Sequence, residues 1–210
     1  MSCFCSKHKL LELANHAITH YYQRVPFVRN HPQAIDLDML VMELMGGSVK
    51  MFPLSKDGSV LGMTAHERLT VRMELEDGTV IRDTLRPKDI VVDTGVRNFT
   101  LAHEIGHQLL HIYYPLLALS DQLEEDCADI IAEGLLLPEC LVRASMAFFQ
   151  FPDTLSHISR SQLDMNYPSF KKMARHLGVQ RQLLANRMKY LHILTSDIPY
   201  RHALSLMEAG

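Results

Sequence analysis

Apolar positions along this chain change their period several times, and each change predicts a different element. Leu10, Leu11, Ala14, Ile18, Tyr21 and Val25 recur at helical spacing until Pro26, which has no N–H to donate and stops the helix. Asp36 to Met45 reads as a second helix, ended by Gly46-Gly47. Between Ser48 and Asp93 the period shortens towards two. Leu69, Val71, Met73 and Leu75 alternate with Thr70, Arg72 and Glu74, and Asp77-Gly78 marks a hairpin turn before Thr79 to Leu85. Ile90 to Val92 adds a short strand that leads through Thr94-Gly95 into a third helix. A small sheet in this position offers an exposed edge, to which an extended peptide can add as a further strand. After Pro138 the pattern is helical throughout. There Phe170, Met173, Ala174 and Leu177, then Leu183, Leu184, Arg187 and Leu191, flank Gly178-Val179 like two helices about a tight turn. The expected architecture is α+β, with a domain over residues 1–150 and a C-terminal helical, helix-turn-helix-like lobe over 151–210.

The third helix carries the chemistry. Phe99-Thr-Leu-Ala-His103-Glu104-Ile-Gly-His107 contains H-E-x-x-H, a zinc-hydrolase signature. At about 100° per residue, His107 lies roughly 40° around the axis from His103 and one turn along, so both imidazoles reach one ion. Glu104 falls at the margin of that face, where it can polarise a water without ligating the metal. Phe99, Leu101, Ala102, Ile105, Leu109 and Leu110 occupy the opposite arc as a core-facing stripe. His111 continues the series, but a rise of about 1.5 Å per residue puts it roughly 12 Å from His103, too far for the same ion. The position six after His107 is Tyr113, so the longer three-histidine motif is absent.

A hydrolytic zinc site needs a third protein ligand and one open position. The stretch Leu123 to Pro138 reads as a helix closed by proline, with Ala128, Ile131, Ala132 and Leu135 on its apolar side. Glu125 and Asp129 stack on one face at i and i+4. Glu125 can supply the third ligand while Asp129 orients a histidine. Helical facing alone leaves Glu124, Asp126 and Glu133 as alternatives to Glu125.

This pair of segments, Phe99 to His111 and Glu125-Asp-Cys-Ala-Asp129-Ile-Ile-Ala132 ending in Leu135-Leu-Leu-Pro138, resembles the ImmA/IrrE metallopeptidases. In that family a glutamate four residues before Asn or Asp follows the H-E-x-x-H helix, and Glu125 and Asp129 stand in those places. Cys127 and Ile131 depart from the usual Glu and Phe without removing a ligand. The resemblance covers about residues 30 to 145. It implies a small gluzincin-like, zincin-like fold and a zinc endopeptidase, with Mn2+ as an alternative ion. His103, His107 and Glu125 would bind the metal and Glu104 would act as general base. The implied substrate is a helix-turn-helix (Xre-type) repressor in bacteria, their mobile elements or phages, cleaved to relieve repression. Tyr113 and Tyr114 are candidates to hydrogen-bond the oxyanion.

Composition fits a modest globular enzyme. The 210 residues are 47% hydrophobic, enough for one core of normal size. No segment approaches the roughly 18 apolar residues of a membrane span, so the expected location is the cytoplasm without membrane partners. Four cysteines in a chain of this length do not form a disulfide framework. Cys3 and Cys5 read as free thiols, and His66 and Glu67 as solvated polar residues.

Charge divides the chain. Residues 1–138 hold 12 Lys and Arg against 19 Asp and Glu, net −7, whereas residues 139–210 hold 9 against 5, net +4. Lys171, Lys172, Arg175, Arg181, Arg187 and Lys189 therefore raise DNA binding through 168–191 as the less favoured reading, against a lobe that shapes the cleft or docks an acidic segment. A third alternative is a metal-stabilised anti-repressor that binds its repressor without cutting it. Glu104 opposes that reading, because a structural zinc site does not require it.

Overall fold

A computed structural model describes residues 6–52, 54–55, 60–74, 78–93, 98–116, 118–151 and 160–194, with backbone alone at 73–74 and 160–166. Cys3, Cys5, Asp77 and Thr94-Gly95 lie outside the described residues. In chain order the elements are α1 (Lys7–Arg24), α2 (Leu37–Met45), β1 (Val49–Met51), β2 (Gly62–Thr64), β3 (Leu69–Glu74), β4 (Val80–Leu85), β5 (Ile90–Val92), α3 (Asn98–Tyr113), α4 (Asp121–Leu136), α5 (Glu139–Phe148), α6 (Arg160–His176) and α7 (Arg181–Tyr190). The fold is α+β, as the periodicity predicts. The chain divides into two compact units, Met1–Pro26 with Ile35–Leu136, and Phe27–Ala34 with Leu137–Gly210. The expected division after residue 150 falls later, and α5 belongs to the second unit.

In the first unit, α1 opens at Ser6, whose hydroxyl accepts from the Lys9 N–H, and α2 opens at Asp36, whose carboxylate accepts from the Met39 N–H. β5 is the middle strand of a three-stranded sheet, parallel to β1 (Val49 opposite Ile90) and antiparallel to β2 (Gly62 opposite Val92). All three β5 residues are buried, as expected of a strand covered on both faces. The β3–β4 hairpin is a separate antiparallel pair, Leu69 opposite Leu85. It joins the sheet through Leu85, which is buried with Ala65 and Val91 and packed by Phe52, Leu54 and Val71.

Asp89 ties the strands together where they meet. Its Oδ1 accepts from the Ser48 N–H (3.0 Å) and hydroxyl (2.9 Å), and its Oδ2 accepts from the Arg86 N–H (2.8 Å). Burial would raise the Asp89 carboxyl, but these hydrogen bonds and nearby Lys50 outweigh it and hold the group below its ordinary value.

Helix α4 packs against α1 and α3. Ala128, Ile131, Ala132 and Leu135, the predicted apolar side, are fully buried. Gly106 sets how closely α3 approaches. A Cβ there would lie 2.8 Å from the Ala128 carbonyl oxygen and 3.0 Å from its Cα, so only glycine fits this crossing. Because Gly106 sits between the two histidines of the motif, the tightest point of the crossing brings the acidic turn of α4 to the metal face of α3.

The second unit contains α5, α6 and α7, with Phe170, Met173, Ala174, Leu177, Leu184 and Met188 among its buried residues. α6 and α7 flank a turn containing Gly178, as predicted. Arg187 is 2% exposed. Its Nε–H donates to the Leu137 carbonyl (2.8 Å) and its guanidinium lies over the Tyr190 ring, 5.4 Å from the centroid. It is a core residue of this unit, so it is not part of a basic outer face. Lys171, Lys172 and Arg175 are exposed.

Candidate metal centre

His103 and His107 project from successive turns of α3, with ring centroids 4.7 Å apart. Their Nε2 atoms face each other at 3.0 Å. Glu125, from the second turn of α4, closes the triangle: one oxygen is 3.1 Å from His103 Nε2 and the other 3.4 Å from His107 Nε2. Among the described residues this is the one group of three histidine, cysteine or carboxylate donors compact enough to hold an ion.

The outer nitrogens determine what the inner ones can do. His103 Nδ1 is 2.8 Å from Asp129 Oδ1, and His107 Nδ1 is 3.0 Å from Glu124 Oε1. Each carboxylate accepts a hydrogen bond from the Nδ1–H it faces, which keeps the proton on Nδ1 and leaves the lone pair of each ring on Nε2. Two lone pairs 3.0 Å apart, with a carboxylate oxygen completing the set, repel one another unless a cation lies between them. At metal–ligand lengths of about 2.0–2.2 Å, a tetrahedral ion separates its donors by roughly 3.3 Å. The observed separations of 3.0, 3.1 and 3.4 Å fit that donor set.

The structure brings together both histidines and Glu125, and it sets Asp129 against His103, as the sequence reading expects. The place of Glu124 was not foreseen. As one carboxylate in an acidic run Glu124 reads as an alternative ligand, whereas it holds the outer nitrogen of His107. Asp126 hydrogen-bonds Gln122 (3.0 Å) and Glu133 pairs with Lys7 (3.1 Å), so neither joins the donor set. Tyr113 packs edge-on against His16, with ring centroids 6.1 Å apart. Tyr114 lines a groove with Leu110, His111, Pro115, Leu119 and Glu124.

Glu104 is only 8% exposed and sits against β2. Desolvation pushes its carboxyl above the ordinary range; His107 and His103 pull it back, and Glu125 pushes it up again. A carboxyl raised in this way is a better proton acceptor near neutral pH than a solvated one. Gln108, the next residue on this face of α3, donates to the Thr64 hydroxyl and to the Ala65 carbonyl (3.1 Å). Strand residues two apart (62 and 64) thus meet helix residues four apart (104 and 108), because both steps advance by about 6 Å.

A helix-rich α+β core with two helix-borne histidines and a carboxylate from the next helix is that of the zincin-like metallopeptidases. The model of a peptidase family, the IrrE N-terminal-like domain, matches residues 72–189, and the chain belongs to that family. No curated protein matches the sequence. Among solved structures, a Mycobacterium tuberculosis transcriptional regulator aligns at 14% identity and TM-score 0.36, over 84% of this chain and 51% of that one. This chain spans about half the length of that regulator. Among the described residues no helix is long and apolar enough to cross a membrane.

Proposed function

We propose that the protein is a zinc-dependent endopeptidase that cleaves a helix-turn-helix repressor, with His103, His107 and Glu125 as metal ligands and Glu104 as general base. The observation that carries this reading is the convergence of both Nε2 atoms and the Glu125 carboxylate within 3.4 Å, with buried Glu104 next to His103 in the sequence and between the two histidines. A divalent ion held by this triplet would supply Lewis-acid polarisation to a peptide carbonyl and to a water.

The protein's own groups account for the remaining steps. Glu104 takes the proton from the attacking water and delivers it to the leaving amine. Asp129 and Glu124 keep both imidazoles in the tautomer that presents Nε2. β2 supplies the platform for the substrate. Leu61 and Ala65 direct their backbone groups to Asp93 and Asp89 of the β5 segment, so the alternation of an antiparallel ladder turns those of Gly62 and Thr64 to the outer edge. An extended peptide adding there passes beside Glu104. The choice of a repressor as substrate rests on the family resemblance, and a repressor substrate places the protein in the cytoplasm.

The deciding experiment uses Glu104→Gln. This variant should keep fold, metal and partner affinity while losing on the order of a hundredfold or more in cleavage. Wild type and variant are incubated with the repressor encoded beside the gene, with and without a chelator, and fragments are identified by mass spectrometry. Discrete fragments from metal-loaded wild type alone support the peptidase. Relief of repression in cells by Glu104→Gln at the wild-type level makes the protein a non-cutting anti-repressor instead.

A further inference from the structure

The interface between α3 and β2 holds a buried amide that the metal site does not explain. Gln108 follows His107, lies one turn beyond Glu104 on α3, and is 1% exposed. Its Nε2 donates to the Thr64 hydroxyl and, at 3.1 Å, to the Ala65 carbonyl. A carbonyl can only accept, so the nitrogen of the amide, not its oxygen, faces Ala65. The same carbonyl also accepts from the Lys88 N–H at 2.7 Å, so its pairing within the sheet does not require the glutamine. An aliphatic side chain of similar length would fill this space without the cost of burying an amide. What the amide adds is direction. The β5 ladder holds β2 within the sheet, whereas the two Gln108 bonds fix β2 lengthwise on the helix that carries Glu104 and both histidines. Gly62 against Glu104 sets how close the strand comes, but offers no donor and acceptor to set its position along the helix.

We propose that Gln108 is a positioning residue that holds the outer edge of β2 in one register against Glu104 and the His103–His107–Glu125 triplet, and so selects which bond of an extended substrate is cut. The role rests on the peptidase reading. A peptide added to the edge takes its place from the backbone groups of Gly62 and Thr64. Gln108 holds Thr64 by its side chain and the next residue by its main chain, so the amide fixes the strand where the peptide pairs with it. A displacement of β2 by about 1 Å takes the scissile carbonyl out of line with the base, at a cost in rate of up to about a hundredfold. It also removes the advantage of the aligned register over one displaced by two residues, which presents the same side-chain faces. Gln108 therefore acts on the rate of the bound substrate and on the choice of bond, and not on the holding of the metal.

The test uses Gln108→Met, which keeps an unbranched side chain of similar volume and leaves the Ala65 carbonyl paired with Lys88. Full-length wild type and variant are compared in zinc content, in thermal midpoint and in cleavage of the repressor encoded beside the gene. Initial rates are taken over a range of repressor concentration, and fragment ends are read by mass spectrometry. Zinc content should equal that of wild type, because Asp129 and Glu124 face the outer nitrogens of the histidines. kcat should fall about tenfold or more, while KM changes by less than about threefold because the backbone bonds to the edge remain. The fragments should show a second cut two residues from the first. A merely structural residue would lower the midpoint and leave the single cut and the kcat of the folded protein as in wild type. Thr64→Val removes the hydroxyl acceptor alone and serves should Gln108→Met fail to fold; it should show the same fall in kcat and the same second cut. A single wild-type cut at unchanged kcat in both variants overturns the role of Gln108 and leaves the peptidase reading standing. Absence of fragments from metal-loaded wild type overturns both.

Discussion

Gly62 on β2 and Glu104 on α3 are in such close opposition that no side chain fits between them. A Cβ on Gly62 would lie 2.5 Å from Glu104 Oε1 and 2.8 Å from its Cγ, with the Thr100 methyl at 2.9 Å. The absence of a side chain lets the edge strand lie against Glu104, the proposed general base, and under that reading it keeps the outer edge of β2 beside the group that would move protons.

Gly62→Ala should therefore impair catalysis without emptying the metal site. The methyl either rotates Glu104 or lifts β2 from α3, and overpacking of this kind costs about 1–3 kcal/mol. Misplacing the base by about 1 Å lowers cleavage on the order of a hundredfold. Urea unfolding, zinc content and turnover of Gly62→Ala separate these effects. Wild-type turnover would show that Glu104 tolerates displacement.

The carboxylates behind the histidines should govern metal retention. Asp129→Ala and Glu124→Ala should each lower zinc affinity about 10–100-fold, measured by competition with a chromogenic chelator. His103→Ala or Glu125→Ala, which removes a direct ligand, should cost more. Chelation of wild type should lower its thermal midpoint, because an ion bound to the folded state alone stabilises it. An unchanged midpoint after metal removal would show that the triplet is held by the fold alone.

Asp89 gives a pH dependence with a definite sign. Its carboxyl is lowered in the folded protein, so it contributes stability above its unfolded value of about 3.9 and loses that contribution as pH falls through the lower folded value. Asp89→Asn removes one of the two accepting oxygens and should cost about 1–3 kcal/mol at pH 7. The gap between variant and wild type should narrow below about pH 4 in chemical denaturation. A gap that stays constant with pH would mean that charge at Asp89 plays no part.

Arg187 and Arg181 should behave differently. Arg187→Ala removes a buried side chain that donates to the Leu137 carbonyl and covers the Tyr190 ring, and should cost on the order of 2–4 kcal/mol. Arg181→Ala, at the half-buried start of α7 where its guanidinium donates to the Tyr167 hydroxyl, should cost less, about 1 kcal/mol. Thermal unfolding checks both. Equal effects would remove the distinction between a core arginine and a half-buried one. If duplex DNA binding is measured, its salt dependence should come from exposed Lys171, Lys172 and Arg175 and not from Arg187.

The amino-acid sequence determined what is local to one element. His103 and His107 share a face because a helix fixes residues four apart, and Glu125 and Asp129 do so for the same reason. The proline and glycine boundaries of α1 and α2, the alternation of β3 and β4, and the buried β5 were legible because backbone geometry sets each period. The family could be recognised from the same short segments. Only the tertiary structure decided which elements touch. The Gly106–Ala128 crossing assigns Glu125 to the triplet and Glu124 to the outer nitrogen of His107, two adjacent carboxylates that helical facing could not separate. Gly62 against Glu104 and Thr64 against Gln108 join residues distant along the chain, so no periodicity records them. Arg187 shows the same limit. Its basic character counted it among the residues of the less favoured DNA-binding reading, but its aliphatic stem and a carbonyl partner at Leu137 place it in the core. Intra-element geometry follows from the repeating backbone, whereas contacts between elements follow from crossing points and loop paths that depend on the whole packed chain.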